Sequence, residues 1–471
     1  MWAQGNGAGN QAAGRKRVLI ISEDLSLPVD EGLKKFVYSV STPLKDHVDL
    51  LVISTQGPGG VGEGVQIIRA NRFLLSHELR RTVADYAPHG VIYVPRAAGT
   101  RNAFIRARVL RSYHRAARQL MVSLQPRAYG WLSRQLIRNM HPDLCATQGT
   151  AMSTELVSMG APAIAIPSGV DMRLFSPVDA PMKARLCAKY GLDPNVGTVV
   201  HVGHLKLERN VLLLCRIREE LGCQVVMVGS TSTVAENGIA DELRKAGVTV
   251  IDSYLENVAE LYQLANCYLF PVWVSGGAIE MPLSVLEALS CGTPVVSTPF
   301  GSLREWLPAG DGLTYAADDG GLISEVNEVL LRDHHPAPDL IRRQVEPLSW
   351  ESIAASLLRA LSIDLSPDHD NDALDQPADT RQADAVAVAG TFPRLEMRSW
   401  RGGPEMSDMP NFALVRRLPG RYSSSVGRES VAKVAGVASW PGAACKPLGP
   451  DGINVRYCRR PFQGFDSSCS G

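Results

Sequence analysis

Two glutamates, Glu280 and Glu287, stand in the run GGAIEMPLSVLEALSCGTPVVSTPFG of residues 276–301, one just before Pro282 and one inside the apolar repeat after it. Pro282 suits a first helical turn, where a missing N–H costs nothing, and Leu283, Leu286 and Leu289 recur as one helical face does. Gly292 can take the left-handed conformation that ends a helix, and the residues from Pro294 to Ser297 read as a short strand. The unit is a helix followed by a strand, and the free N–H groups of its first turn suit an anionic ligand such as a diphosphate. A plainer reading makes Glu280 a helix cap and Glu287 a residue of a solvated face; the specificity of the whole string favours the binding reading.

Three further places offer chemistry. In TVVHVGHLKLERNV, residues 198–211, a strand ends at Gly203 and the basic residues His204, Lys206 and Arg209 follow in the loop. Arg209 is permanently charged and can grip phosphate oxygens with two parallel donors, whereas His204 gains charge only beside an anion and is otherwise a polar loop residue. After the strand RVLIIS, a loop with Pro28, Asp30, Glu31 and Gly32 leads into a helix from about Leu33. Gly32 allows close approach of the backbone to a ligand, and also serves ordinary turn chemistry. Gln125 and Pro126 follow the strand QLMVSL, at the carboxyl edge where ligands of such sheets bind.

The elements that position these groups are legible as apolar runs starting at Arg17, Val48, Val65, Val91, Gln119, Asp143 and Ala163, then at Thr198, Gln224, Val248 and Cys267, separated by helical or polar segments. Such alternation predicts doubly wound α/β lobes, and 471 residues suffice for two cores and a tail. The segment IPSGVDMRLFSP, residues 166–177, reads as a hinge in which Asp171 bonds its own turn and Phe175 wedges between lobes. A helix is expected from Glu256 to about Ala265, and another from Trp350 with Ser349 as N-cap and Ile353, Leu357, Leu358 and Leu361 as its packing face.

The run LEALSCGTPVV, preceded by Glu280 and Pro282-Leu283, resembles the donor-binding signature of the retaining glycosyltransferases of family four, which have the two-lobed GT-B fold. The resemblance covers about residues 17–365. It implies an α/β protein with two Rossmann-like lobes facing a cleft, an N-terminal acceptor-side lobe at 17–177 and a donor-binding lobe at 178–365. The family signature usually has two Glu separated by seven residues, whereas Glu280 and Glu287 are separated by six and Ile279 takes the usual first position. It implies that Glu287 holds ribose hydroxyls and Glu280 sugar hydroxyls, with Met281, Pro282 and Leu283 lining the donor site. Gly203, His204 and Arg209 stand where the family binds the donor diphosphate, with His204 in place of an Arg and Arg209 in place of a Lys. Gly32 would lie over the diphosphate, and Tyr254, with Ser253 and Leu255, would line the nucleobase pocket. Many members have a His near Gln125, which here could bond a sugar hydroxyl. The catalytic set is thus Glu280, Arg209 and Gln125. GDGLTY, residues 310–315, is expected as a loop.

The implied activity is transfer of a sugar from a nucleotide-sugar donor to an acceptor with retention of configuration (EC 2.4), without metal or other cofactor, because basic groups take the metal's place. A nucleotide-sugar 2-epimerase of the same fold and a non-catalytic binding subunit remain as alternatives.

Lys plus Arg and Asp plus Glu balance at 48 each, and the nine cysteines are scattered without a CxxC pair, a pattern of a reducing compartment. Residues 1–16 lack an apolar core, and no run approaches a membrane span, so a cytoplasmic protein is expected. Residues 86–142 contain ten arginines and no Asp or Glu. On an expected helix over residues 127–140, Arg127, Arg134 and Arg138 share a stripe with Trp131, opposite Leu132, Leu136 and Met140. Such a face suits an anionic membrane surface and a glycan or lipid-linked acceptor; arginines bridging to the other lobe would leave the same trace. Nucleic acid is excluded as a partner because aromatic stacking residues are sparse and no binding motif accompanies the charge. Residues 366–471 are expected to be a low-complexity tail, first an acidic, disordered linker and then, beyond Pro393, a stretch with twelve Lys or Arg against six Asp or Glu to which no fold is assigned, either a regulatory tail or a non-native extension.

Overall fold

A computed structural model describes residues 15–29, 31–56, 60–96, 98–230, 236–332 and 336–363. The expectations for residues 1–14, for Asp30 and for the tail beyond 363 lie outside the described residues.

The apolar runs become parallel strands because helices cover both of their faces. The first lobe holds β1 (Arg17–Asp24), β2 (Asp49–Gln56), β3 (Val65–Ile67), β4 (Gly90–Val94), β5 (Arg118–Ser123), β6 (Leu144–Thr147) and β7 (Ala163–Ala165). They form one sheet in the order β3-β2-β1-β4-β5-β6-β7, all neighbours parallel. The second lobe holds β8 (Thr198–Gly203), β9 (Gln224–Gly229), β10 (Thr249–Ile251), β11 (Cys267–Phe270), β12 (Val295–Ser297) and β13 (Leu313–Tyr315), in the order β10-β9-β8-β11-β12-β13. Each order reverses direction beside its first strand, so each sheet has a switch point where a ligand crevice opens at the carboxyl ends of the strands.

The helix Gly32–His47 follows β1 and packs against the helix Trp350–Ala360, with Phe36 edge-on to Trp350 at 5.5 Å between centroids. Ser349 caps that last helix by accepting from the Ser352 N–H, and Trp350, Ile353, Leu357 and Leu358 join the first-lobe core. The C-terminal end of the second lobe therefore returns to the first. At the hinge, Asp171 accepts from the N–H groups of Arg173 (2.9 Å) and Leu174 (3.0 Å). The Arg342 guanidinium ties this segment down by donating to the carbonyls of Met172, Phe175 and Ser290. Phe175 is buried in the second-lobe core beside Tyr262.

Three expected elements differ. The helix expected over 127–140 is Trp131–Met140, with extended Gly130 as its N-cap, so Arg127 precedes the helix and shares no stripe with Arg134 and Arg138. Leu132 is 57% exposed, and Ile137 is the residue that anchors this helix in the core. The helix expected from Glu256 starts at Ala259, where the Asn257 side chain accepts the Ala259 N–H. The expected loop GDGLTY ends in a strand, β13, whose residues Leu313 to Tyr315 pair in parallel with Val295 to Ser297. Apolar pairing on one side of β12 outweighed the turn signal of the two glycines.

Candidate functional site

Between the lobes lies a cleft of about 560 Å³ whose walls are the loops after β1, β5, β8, β9, β10 and β11 and the start of the helix Leu283–Ser290. Pro282 is the N-cap of that helix, and the helix is buried on nearly every side, Glu287 included. Pro282, Leu283, Ser284 and Glu287 all line the cleft, so the helix entrance opens onto it as expected.

Across the floor, Gly203 ends β8 and Arg209 lies in the short 3₁₀ turn Leu207–Arg209. A Cβ on Gly203 would stand 3.0 Å from an Arg209 guanidinium nitrogen and 3.1 Å from His201 Nε2. A side chain at 203 would press on both groups, which would have to give by a few tenths of an ångström. Arg209 is 9% exposed, is in no ion pair among the described residues, and its Nε lacks a hydrogen-bond partner. Burial lowers its pKa, partly offset by Tyr268 and Glu208. Its neighbour His201 is pushed down to about 4, first by burial and also by the Arg209 charge, so it adds no competing cation. A buried guanidinium without an acid partner is costly unless an anion completes it. His204 and Lys206 line the same wall.

Glu287 is held from both sides. Its Oε1 meets Lys35 Nζ at 3.0 Å, and its Oε2 accepts from the Tyr262 hydroxyl at 2.7 Å. Lys35 comes from the first lobe, and no feature of the sequence singled it out: it is one of two consecutive lysines in a helix that begins with Gly32. Gly32, Gln125 and Tyr254, the last 57% exposed, are in the cleft lining where the sequence placed them.

Glu280 and Met281 stand apart from the other candidate residues. Neither lines the cleft. The Glu280 N–H donates to the Leu124 carbonyl (2.8 Å), its carbonyl accepts from Ser302 N–H (3.1 Å), and the Met281 N–H donates to Gln148 Oε1 (2.9 Å). These bonds pin the segment between the lobes and turn Ile279 toward the cleft and Glu280 away from it, against Gly149. A Cβ at Gly301 would meet the Glu280 carbonyl at 2.1 Å, and Gly301 has φ +54°, so only glycine permits this crossing. The Glu280 carboxyl is 6% exposed, lacks a partner for Oε2, and is pushed up to about 7, first by burial and then by Glu305. Glu305 itself receives the N–H and hydroxyl of Thr150 across the interface. The one-residue shift of the acid from 279 to 280 thus exchanged a cleft position for an interlobe one.

Among the described residues no group of three or more His, Cys, Asp or Glu could hold a metal ion, and no helix is long and apolar enough to cross a membrane.

Residues 197–332 match the model of the family described as Glycosyl transferases group 1. The MMP alpha-(1->4)-mannosyltransferase of Mycolicibacterium hassiacum is 28% identical over 260 residues, covering 51% of this chain and 59% of the relative. The alpha-maltose-1-phosphate synthase of Mycobacterium tuberculosis is 26% identical over 219 residues, covering 41% of this chain and 54% of the relative. The chain thus spans little more than half the length of these curated relatives. Among solved structures, Anabaena HepE in complex with UDP superposes with a TM-score of 0.58 at 14% identity, over 74% of this chain and 99% of that one. Sucrose-phosphate synthase from Thermosynechococcus elongatus gives a TM-score of 0.60 at 17% identity, over 74% and 98%. These likenesses show the fold: two parallel-sheet Rossmann-like lobes of the GT-B type.

Proposed function

We propose, from the match of residues 197–332 to the model described as Glycosyl transferases group 1, that the chain moves a sugar from a nucleotide-sugar donor to an acceptor with retention of configuration. The observation that carries this reading is Arg209, a buried guanidinium without an acid partner on the cleft wall, close to Gly203. As the glycosidic bond breaks, negative charge grows on the leaving diphosphate, and Arg209, His204 and the N-terminus of Leu283–Ser290 are placed to stabilise it. Glu287 receives ribose hydroxyls, Tyr254 lies beside the nucleobase, and Gln125 bonds a sugar hydroxyl. The basic wall takes the part that a divalent ion plays elsewhere, so no cofactor is needed. The UDP and the sugar phosphates in the names of the similar proteins suit this chemistry.

A glycan or lipid-linked acceptor would enter from the first lobe. The exposed Trp131 and Leu132, with Arg127 and Arg138 nearby in sequence, support a peripheral position at an anionic membrane surface. The six described cysteines are free thiols, in keeping with the cytoplasm.

One observation favours a second reading, a subunit that binds a nucleotide sugar without turnover: Ile279, not an acid, faces the cleft. Incubation with a panel of labelled nucleotide sugars decides. Release of nucleoside diphosphate with sugar on an acceptor supports transfer. An interconverted donor supports the 2-epimerase, and binding without either supports the silent subunit.

A further inference from the structure

We propose that Lys35 is a positioning residue of the donor site, fixing the Glu287 carboxylate from across the cleft so that its free lone pairs receive the two ribose hydroxyls. The proposal rests on the reading of Glu287 as the ribose acceptor.

Lys35 is the fourth residue of the helix Gly32–His47. The side chains around it turn inward: Lys34 donates to Ser26 Oγ at 3.3 Å, and Phe36 is 1% exposed. Lys35 alone of these three faces the cleft, and its ammonium reaches Glu287 on the opposite lobe at 3.0 Å. A carboxylate offers about four lone-pair positions. Lys35 takes one on Oε1 and the Tyr262 hydroxyl takes one on Oε2, which leaves two for a vicinal diol.

The two holders differ in kind. Tyr262 is fully buried in the second-lobe core, in edge contact with Phe175 at 5.9 Å and Tyr268 at 5.4 Å, and burial raises its phenol pKa well above the usual value, so it stays a donor. Its bond to Glu287 belongs to the second lobe alone. The Lys35 bond exists only while the first lobe stands in place. A carboxylate anchored at one oxygen can still rotate about its last torsion, and the second anchor removes that freedom at a site where hydroxyl geometry matters. The nucleoside, although bound by the second lobe, would thereby sense the first.

Calorimetric titration of the full chain with UDP and GDP, and with their 2′,3′-dideoxy counterparts, tests this. The better-bound of the two diphosphates should be preferred over its dideoxy form by roughly tenfold or more, the scale of a charge-assisted hydrogen bond. Lys35→Met should erase most of that preference by weakening the ribo form about tenfold while leaving the dideoxy form unchanged. Lys35→Arg, which keeps the charge, should retain it. In turnover, Lys35→Met should raise the donor KM with little change in kcat. A wild-type ratio in a folded Lys35→Met overturns the assignment, and so does tighter ribo binding, which would make Lys35 a competitor of the ribose. Nucleoside diphosphate binding with no ribose preference in the wild type also overturns it while sparing the phosphate role of Arg209. Failure to bind either diphosphate removes the donor reading itself.

Discussion

The two strand edges that face each other across the cleft treat buried charge in opposite ways. On the first lobe, Glu23 is 1% exposed and accepts from the Tyr93 hydroxyl (2.7 Å), the Arg96 N–H (2.6 Å) and the Arg106 guanidinium. Its neighbour Asp24 accepts from Ser26 N–H and Oγ, and these bonds, with the Lys34 and Arg96 charges, outweigh burial and hold its pKa below the usual value. The first-lobe edge is neutralised from within. On the second lobe, Arg209 is almost as buried and has no acid partner among the described residues. A closed network satisfies itself within the fold; an open buried charge leaves a place that an anion would complete. The difference separates the two kinds of buried ion more clearly than burial alone.

Breaking the closed network should cost the most. Glu23→Ala leaves Arg106, which is 16% exposed at its side chain, without its acid, and the expected loss is about 3–5 kcal/mol of stability, read by denaturant or thermal unfolding. Arg209→Ala should do the reverse: unfolding unmoved or improved, because a desolvated lone cation is gone, with turnover lowered roughly 10²–10³-fold. If Arg209→Ala unfolds the protein as Glu23→Ala does, the contrast between the edges is void. Glu287→Ala is intermediate, since its carboxylate has protein partners on both oxygens and a cleft-facing side. It should weaken nucleotide-sugar binding by about 1.5–3 kcal/mol, measured by titration, with a smaller loss of turnover than Arg209→Ala.

Much of this arrangement was legible before the structure, for identifiable reasons. Every strand expected from an apolar run is present; the central ones are legible because a parallel strand buried on both faces writes itself as consecutive Val, Ile and Leu, whereas β3, β7 and β10 at the sheet edges are partly exposed. Arg209, His204, Gly203 and Gly32 reached the cleft because strand and helix ends put them at the carboxyl edge of the sheets, a position set by topology. Glu280 lies outside the cleft lining because the chain bends at 280 and 281, and which way each side chain then faces is decided by the Leu124, Gln148 and Ser302 contacts, none of them local in sequence. Lys35 was missed for a similar reason: its partner lies 252 residues away, and two adjacent lysines in a helix announce no geometry.

Glu280 sharpens the comparison from a third direction, as a buried acid that lies outside both edges and stays open. Its pKa is raised from 4.5 to about 7. The protonated form is thus the one the fold favours: its stability contribution is fully present below the unfolded value and is lost as pH rises through about 7. Glu280→Gln keeps the shape without the charge. Thermal unfolding followed from about pH 5 to 8.5 should show the wild type losing ground to the variant from the start of that range, the gap levelling off once pH passes about 7. Parallel curves for the two proteins would mean that Glu280 finds a partner at the interface when ionised.

The smallest expected effect lies on the outside of the first lobe, where the contrast between closed and open charge returns. Of the arginines in residues 86–142, Arg106 is spent on Glu23, Arg111 on Asp143 and Arg134 on Glu155, so much of the basic run is internal bookkeeping. Arg127 and Arg138 are exposed and in no ion pair among the described residues, and Trp131, 72% exposed, stands between them in sequence. Near anionic lipid each such arginine contributes about 1 kcal/mol, enough with one interfacial tryptophan for reversible attachment at low salt. Co-sedimentation should therefore show the protein pelleting with phosphatidylserine-containing vesicles and remaining in the supernatant with neutral ones, and salt near 1 M should release it. Replacing Arg127 and Arg138 by Gln should remove the difference, whereas Arg111→Gln, which breaks an internal pair, should leave it in place. Equal behaviour with both vesicle types would assign these open charges to the acceptor itself and make a soluble, anionic glycan the better candidate.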